Sequence, residues 1–192
     1  VARREADLGE SLRRFGWAAY DHLGGLIVLN LVWSVLALPW LVSGALAVGW
    51  GLARGPAWGA FALVVAAGWV ACAPPTALLF VAAARWLADA PVTARALLGA
   101  GGKAALRAQA AGLVHVAAGG VLGANALFFL DRGGAVGLVL ASAYGWLQAA
   151  TLLLVPYVLT ALTLWDLPLW PALRRSLLLA VGLAGAALAL GL

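Results

Sequence analysis

Six residues that are polar or that break helices lie near the centre of long apolar stretches of this chain. They are Pro39, Cys72, Pro74, Pro75, His115 and Gln148. If these stretches lie in a bilayer, a polar group there is costly and usually faces the interior of a helical bundle or a wet cavity. The six residues therefore suggest a polar spot on the path of a substrate or a proton.

A structural role for these residues is the alternative hypothesis. The side chains of His115 and Gln148 would hydrogen-bond across helices and hold the third and fourth predicted membrane spans together. The sequence places no acidic or basic residue at their depth, although a proton relay or an ion pathway ordinarily needs one. The structural role is therefore the favoured one.

Motifs for catalysis and for metal or cofactor binding are missing from the sequence. Residues 99–102 lack the Gly-Lys-[Ser/Thr] ending of a phosphate-binding loop, and no Gly-x-Ser-x-Gly motif occurs. His22, beside Asp21, has no His or Cys at ligand spacing. Cys72 is the only cysteine, which excludes an internal disulfide and a cysteine metal cluster. We expect no enzymatic activity, no metal and no cofactor.

The composition indicates that lipid, not water, surrounds most of the chain. Of its 192 residues, 65% are hydrophobic and 10% are charged, and the mean hydropathy is +1.02. Soluble domains carry about 25% charged residues. The net charge of +5 does not indicate nucleic acid, because the basic residues are scattered at segment ends. The length and the lack of a linker predict one transmembrane domain over residues 1–192.

The apolar stretches predict an all-α polytopic bundle of about five spans. A helix of about 20 apolar residues crosses the hydrocarbon layer of a bilayer. Because proline removes a backbone donor, Pro74 and Pro75 should break the second span. The break separates a helix that ends near Cys72 from a half-length helix between Thr76 and Trp86. The five spans are expected at residues 23–50, 57–87, 103–130, 135–165 and 176–192.

Further helices are expected at the membrane surface. Residues 1–15 carry Leu8, Leu12 and Phe15 at helical spacing opposite charged side chains, which predicts an amphipathic helix in the interface. A solvated tail is the alternative for this segment. Residues 89–102 and 166–175 are predicted to form interfacial segments that precede the third and the fifth span.

The distribution of Lys and Arg predicts the orientation, because cytoplasmic loops are enriched in both. Arg54 and Arg132 lie in loops on one side of the predicted bundle. The first fourteen residues mix acids and bases, so we expect the first span to serve as the insertion signal. Eleven Arg against one Lys is typical of a GC-rich bacterial genome. We therefore predict a bacterial cytoplasmic-membrane protein with a cytoplasmic N-terminus and an external C-terminus. The ten basic residues on the predicted cytoplasmic side are Arg3, Arg4, Arg13, Arg14, Arg85, Arg95, Lys103, Arg107, Arg174 and Arg175.

Small and aromatic residues predict how the spans pack. Gly112, Gly119 and Gly123 indicate close helix contacts, either inside the bundle or with another membrane protein. Asn30 is expected to cap the broken backbone around Thr76. Four deep tryptophans should fill the core between helices, and six others should form an aromatic belt at the interfaces. The deep four are Trp33, Trp40, Trp69 and Trp146, and the belt consists of Trp17, Trp50, Trp58, Trp86, Trp165 and Trp170.

Several short motifs resemble the YesL family of bacterial integral membrane proteins. The resemblance implies association with carbohydrate import, since such proteins are typically encoded beside sugar ABC-transporter components. It carries over no catalytic residue. The motifs are Trp17…Tyr20, Asn30-Leu31-Val32-Trp33 with Leu38-Pro39, Pro75-Thr76-Ala77-Leu78-Leu79-Phe80, Pro91-Val92, and Ala172-Leu173-Arg174-Arg175-Ser176-Leu177.

The resemblance implies a non-catalytic accessory subunit of a bacterial carbohydrate ABC importer, with permease or solute-binding subunits as partners. The alternative is a small autonomous transporter or channel, as a homo-oligomer, in which Cys72, His115 and Gln148 surround a path at the midplane. A membrane enzyme is the least favoured class, because no nucleophile–base pair occurs. The basic residues that would dock partners or lipid headgroups are Arg85, Arg95, Lys103, Arg107, Arg174 and Arg175.

Overall fold

The computed structural model describes residues 13, 16–17, 20–88 and 90–190, without the side chains of residues 100 and 183–190. This part of the chain is all-helical and has no strand, as the sequence predicts. The predicted amphipathic helix over residues 1–15 lies outside it, apart from Arg13. The helices are α1 Leu23–Leu36, α2 Leu38–Leu52, α3 Pro56–Ala71, α4 Pro74–Leu87, α5 Ala94–Arg132, α6 Gly134–Thr163 and α7 Leu169–Leu190.

The first two predicted spans are bent pairs of helices. The axes of α3 and α4 differ by 50°, and Pro74 and Pro75 open α4, where the sequence predicts the break. Helices α1 and α2 differ by 57°, with the bend at Ala37 and Pro39 in the first turn of α2. Proline suits a first turn, because the N–H group that it lacks has no intrahelical acceptor there. Both bends therefore follow from proline positions.

The predicted interfacial helix over residues 89–102 is wrong as a separate element. Helix α5 runs without interruption for 39 residues, and Thr93 caps its start by accepting a hydrogen bond from the Ala96 N–H at 3.2 Å. The glycines at 99, 101 and 102 do not end it, because each costs only about 1 kcal/mol in a helix interior and no proline accompanies them. The second predicted interfacial segment likewise continues into the last predicted span as α7.

Two helices are each long and apolar enough to cross a membrane. They are residues Gly101–Arg132 of α5 and the whole of α6. Each of the two bent pairs also passes the same test when it is taken together, so the described residues contain between two and four candidate spans. The predicted fifth span, over residues 176–192, is not among these candidates. The chain therefore has the helices of a membrane protein.

Small residues form the interior of this body, and large apolar residues cover it. The buried core consists mainly of Ala with Leu159, Leu162 and Cys72, whereas Leu, Val and Trp side chains are exposed along every helix up to residue 182. Helices α2 and α3 approach closely at Gly51, where a Cβ atom would lie 2.7 Å from the carbonyl oxygen of Trp58. Glycine at φ +66° and +73° makes the tight turn between α5 and α6, at residues 133 and 134. Such packing is typical of membrane helices, whose backbones approach through small residues.

Candidate functional site

Three tryptophans in the predicted spans connect helices through their indole N–H groups. Nε1 of Trp33 donates to Oγ1 of Thr76 at 2.9 Å and joins α1 to α4. Nε1 of Trp40 donates to Oε1 of Gln109 at 2.7 Å and joins α2 to α5. The third bond, from Trp69 to Oγ of Ser43 at 3.0 Å, joins α3 to α2. These tryptophans therefore fill space and also donate hydrogen bonds to side chains on other helices. The sequence predicted only the first of these roles.

Two other residues lie where the sequence did not predict them. Trp146, expected in the core, is 78% exposed on α6. Asn30, expected near Thr76, donates its side-chain N–H to the carbonyl oxygen of Leu26 in its own helix at 2.9 Å. The bond to Thr76 comes instead from Trp33, one turn further along α1. Both predictions are wrong because a helix that is apolar all round does not reveal which face turns inward.

The imidazole of His115 lies between α5 and α3. It is 6% exposed, and its Nε2 atom lies 3.4 Å from the carbonyl oxygen of Val64. Gly68 provides the room, because a Cβ atom there would overlap the imidazole ring. His115 therefore links the third predicted span to the second, and the expected link to the fourth span is wrong.

The predicted glycine stripe packs α5 against α3. A Cβ atom at Gly112 would lie 3.0 Å from Cβ of Cys72, and one at Gly119 would lie 2.8 Å from Cγ2 of Val65. A Cβ atom at Gly123 would overlap the ring of Phe61. The prediction of close helix contacts inside the bundle is confirmed.

Cys72 and His115 share a small cavity, which we call the Cys72 cavity. Its volume is about 120 Å³, and apart from Cys72, His115 and Thr151 its lining is apolar. The thiol of Cys72 is buried just before the break between α3 and α4. Pro75 is buried beside this break, whereas Pro39 is exposed at the other bend. Gln148 does not line this cavity.

Among the described residues, Gln148 is the buried one whose side-chain polar atoms are left unpaired. Its side chain is 5% exposed, and neither Nε2 nor Oε1 has a hydrogen-bond partner within the described part of the protein. Gly119 faces it from α5, where a Cβ atom would lie 3.2 Å from Nε2. Because glycine has no side chain to offer, the bond that was expected to hold spans three and four together does not form.

A second cavity, which we call the Gln148 cavity, lies between α3, α5 and α6, and Gln148 is one of its lining residues. Its volume is about 330 Å³. Phe61, Val64, Gly123 and Leu127 contribute to its walls, and Ser142 and Tyr144 are its other polar residues. No lining residue is shared with the Cys72 cavity. The structure therefore brings Cys72 and His115 together and leaves Gln148 apart from them.

The basic residues predicted for docking differ in their surroundings. Arg107 holds the turn between α6 and α7, since its guanidinium pairs with the Asp166 carboxylate at 2.5 Å and donates to the carbonyl oxygens of Asp166 and Leu167. Nε of Arg85 donates to the carbonyl oxygen of Pro91 at 2.9 Å. Four others have exposed side chains, namely Arg95, Lys103, Arg174 and Arg175.

Within the described residues, no group of three His, Cys, Asp or Glu side chains could hold a metal ion. Comparison of the chain with protein families, with curated proteins and with solved structures gives no match. The unpaired amide of Gln148 and its cavity are therefore the strongest candidate site on geometry alone.

Proposed function

We propose that the chain is a bacterial cytoplasmic-membrane protein that crosses the bilayer five times, with a cytoplasmic N-terminus, and serves as a non-catalytic accessory subunit of a carbohydrate ABC importer. The resemblance to the YesL family motivates the importer. In this proposal α7 forms the fifth span. The protein acts by packing its apolar flank against the permease and presenting exposed basic residues to other subunits.

The observation that carries the accessory role is the separation of the interior polar residues. A transporter that works alone needs a path through the membrane, and intramembrane polar residues usually mark such a path. Here Cys72 and His115 line a cavity of about 120 Å³, and Gln148 lines a different cavity. The two cavities have no lining residue in common. This arrangement favours a role in binding or assembly over conduction.

The proposed orientation rests on the ends of the helices. Arg95, Arg174 and Arg175 lie near the starts of α5 and α7, at the end of the bundle proposed to face the cytoplasm. At the opposite end, the guanidinium of Arg54 lies 3.2 Å from the ring centroid of Trp50, and that of Arg132 lies 4.5 Å from the ring centroid of Phe128. Such cation–π contacts suit the membrane interface.

The orientation can be tested in intact cells with single cysteines in a Cys72→Ala background. A membrane-impermeant maleimide added from outside should label Arg132→Cys and should not label Arg95→Cys until the membrane is opened. The reverse pattern would refute the orientation.

Co-purification from native membranes tests the accessory role. We expect a permease or a solute-binding subunit to follow the tagged chain, and the double variant Arg174→Gln/Arg175→Gln to recover several-fold less of it. The matched control, Arg54→Gln/Arg132→Gln, also removes two positive charges and should recover the partner as the native chain does. Recovery of the chain without any transporter subunit would refute the role.

A small autonomous transporter or channel is the second candidate, and the unpaired amide of Gln148 favours it. Proteoliposomes that contain only this chain should then show solute flux, and the flux should fall in Gln148→Ala. Flux that His115→Ala and Gln148→Ala leave unchanged would remove these residues from any path.

A further inference from the structure

We propose that the Gln148 cavity binds an uncharged small molecule that has an apolar body and one hydroxyl or amide group. The importer role neither requires this site nor depends on it. The proposal rests on the unpaired amide of Gln148, the lining of the cavity and the position of Gln148 near the middle of α6.

The amide of Gln148 determines the polar group of the ligand. Buried polar atoms in proteins nearly always have a hydrogen-bond partner, and one left unpaired needs an explanation. In the described part of the chain Nε2 and Oε1 both lack one, and both atoms are covered by the protein. A turn of the Gln148 side chain toward the cavity that it lines would bring them to a ligand. A ligand that satisfies both must accept from Nε2 and donate to Oε1, and a hydroxyl or a primary or secondary amide does both.

The walls of the cavity determine the rest of the ligand. No charged residue lines it, so a charged ligand would be buried without a counter-charge, which is strongly unfavourable. Most of the lining is apolar, and small residues such as Ala60, Ala126 and Gly145 create the space. Its volume of about 330 Å³ falls within the usual range of small-molecule sites, roughly 300–1,000 Å³.

The depth of Gln148 argues for a molecule that enters whole. Gln148 is the fifteenth of the 30 residues of α6, so it lies near the middle of this helix. At a rise of 1.5 Å per residue, it is roughly 21 Å from the first residue. The ester oxygens of a phospholipid remain near the edge of the hydrocarbon layer, about 15 Å from its centre. A phospholipid with its headgroup at the surface therefore cannot bring an ester to the Gln148 amide.

Photolabelling in lipid nanodiscs tests the proposal. The probe is a medium-chain alcohol that carries a diazirine, and the comparison probe is the alkane of the same length with the same diazirine. We expect the alcohol to label peptides of α3, α5 and α6 that line the cavity on the order of ten-fold more strongly than the alkane, the ratio expected for one net hydrogen bond. In Gln148→Leu the two probes should label these peptides equally.

Two glycine variants supply a matched control. A Cβ atom at Gly145, which lines the cavity, would meet nothing within 4 Å, and the same is true of Gly120, which does not line it. Gly145→Leu should fill the cavity and abolish labelling by both probes, whereas Gly120→Leu should keep the native pattern. Thermal unfolding of each variant in the same nanodiscs verifies that it is folded.

Equal labelling of the native chain by alcohol and alkane would overturn the proposal, since Gln148 would then contribute nothing to binding, as when water satisfies its amide. Labelling of the same peptides that survives in folded Gly145→Leu would overturn it as well, because the probe would then occupy the lipid-facing surface.

Discussion

The two glutamines of this chain, Gln109 and Gln148, both lie in long apolar helices, yet their side chains are used differently. Gln109 on α5 accepts a hydrogen bond from the indole of Trp40 at 2.7 Å. Gln148 on α6 has no partner for either polar atom among the described residues, and it lines a cavity. One amide holds two helices together, and the other is left without a partner by the residues around it.

The residue that faces each glutamine makes the difference. Trp40 on α2 brings a donor to Gln109, whereas Gly119 on α5 brings only a backbone hydrogen to Gln148. In hydrocarbon an unpaired amide cannot turn to bulk water, so the facing residue decides whether the group stabilises the fold. A polar residue in a membrane helix can therefore be interpreted only together with its neighbour on the next helix.

Among the substitutions that test this comparison, Gln109→Leu is expected to change the free energy of unfolding most. This substitution removes the acceptor and leaves the Trp40 N–H unpaired, so the free energy of unfolding should fall by about 1–2 kcal/mol. Reversible unfolding in mixed micelles, followed by circular dichroism, measures it. The double variant Gln109→Leu/Trp40→Phe should lose less than the sum of its two single variants. Full additivity would show that the bond contributes nothing.

For Gln148→Leu we expect the opposite sign. Leucine has a similar volume and removes two unpaired polar atoms, so the free energy of unfolding should stay the same or rise by up to about 1 kcal/mol. The same unfolding assay applies. A loss as large as that of Gln109→Leu would mean that Gln148 is paired in the folded protein.

The smallest effect is expected for the difference in stability between two variants of Gly119, one of which gives Gln148 a hydrogen-bond partner. Gly119→Ala and Gly119→Ser place the same Cβ atom against Val65, and both should destabilise the protein by crowding. The serine hydroxyl can also bond the Gln148 amide, so the serine variant should be more stable than the alanine variant by about 0.6 kcal/mol. Equal stabilities would indicate that the amide is not available at this position.

Local rules predicted part of this structure from the sequence. The break at Pro74 and Pro75 depends only on the missing backbone donor, and the glycine stripe on α5 depends only on the absence of a side chain. Both features are present in the structure. The sequence also singled out Gln148 and His115 as polar residues in apolar segments.

The partners of those residues could not be predicted in the same way. His115 meets a backbone carbonyl group, that of Val64, which leaves no trace in the sequence. Trp146 faces outward. The sequence could not reveal this, because lipid and the protein interior are both apolar and hydrophobicity does not separate the two sides of α6. Helix α5 continues through its glycines because a few glycines weaken a helix without ending it.

Nuclear magnetic resonance of protein labelled with ¹⁵N-glutamine tests the central claim most directly, because the chain has only two glutamines and so only two labelled side-chain amide groups. The variants Gln109→Leu and Gln148→Leu assign the two pairs of signals by removing one pair each. When 1-octanol is titrated into nanodiscs that contain the protein, the Gln148 signals should shift and saturate while the Gln109 signals stay in place. Signals of Gln148 that do not respond, or that move only in parallel with those of Gln109, would contradict the claim that its amide is free to bind a ligand.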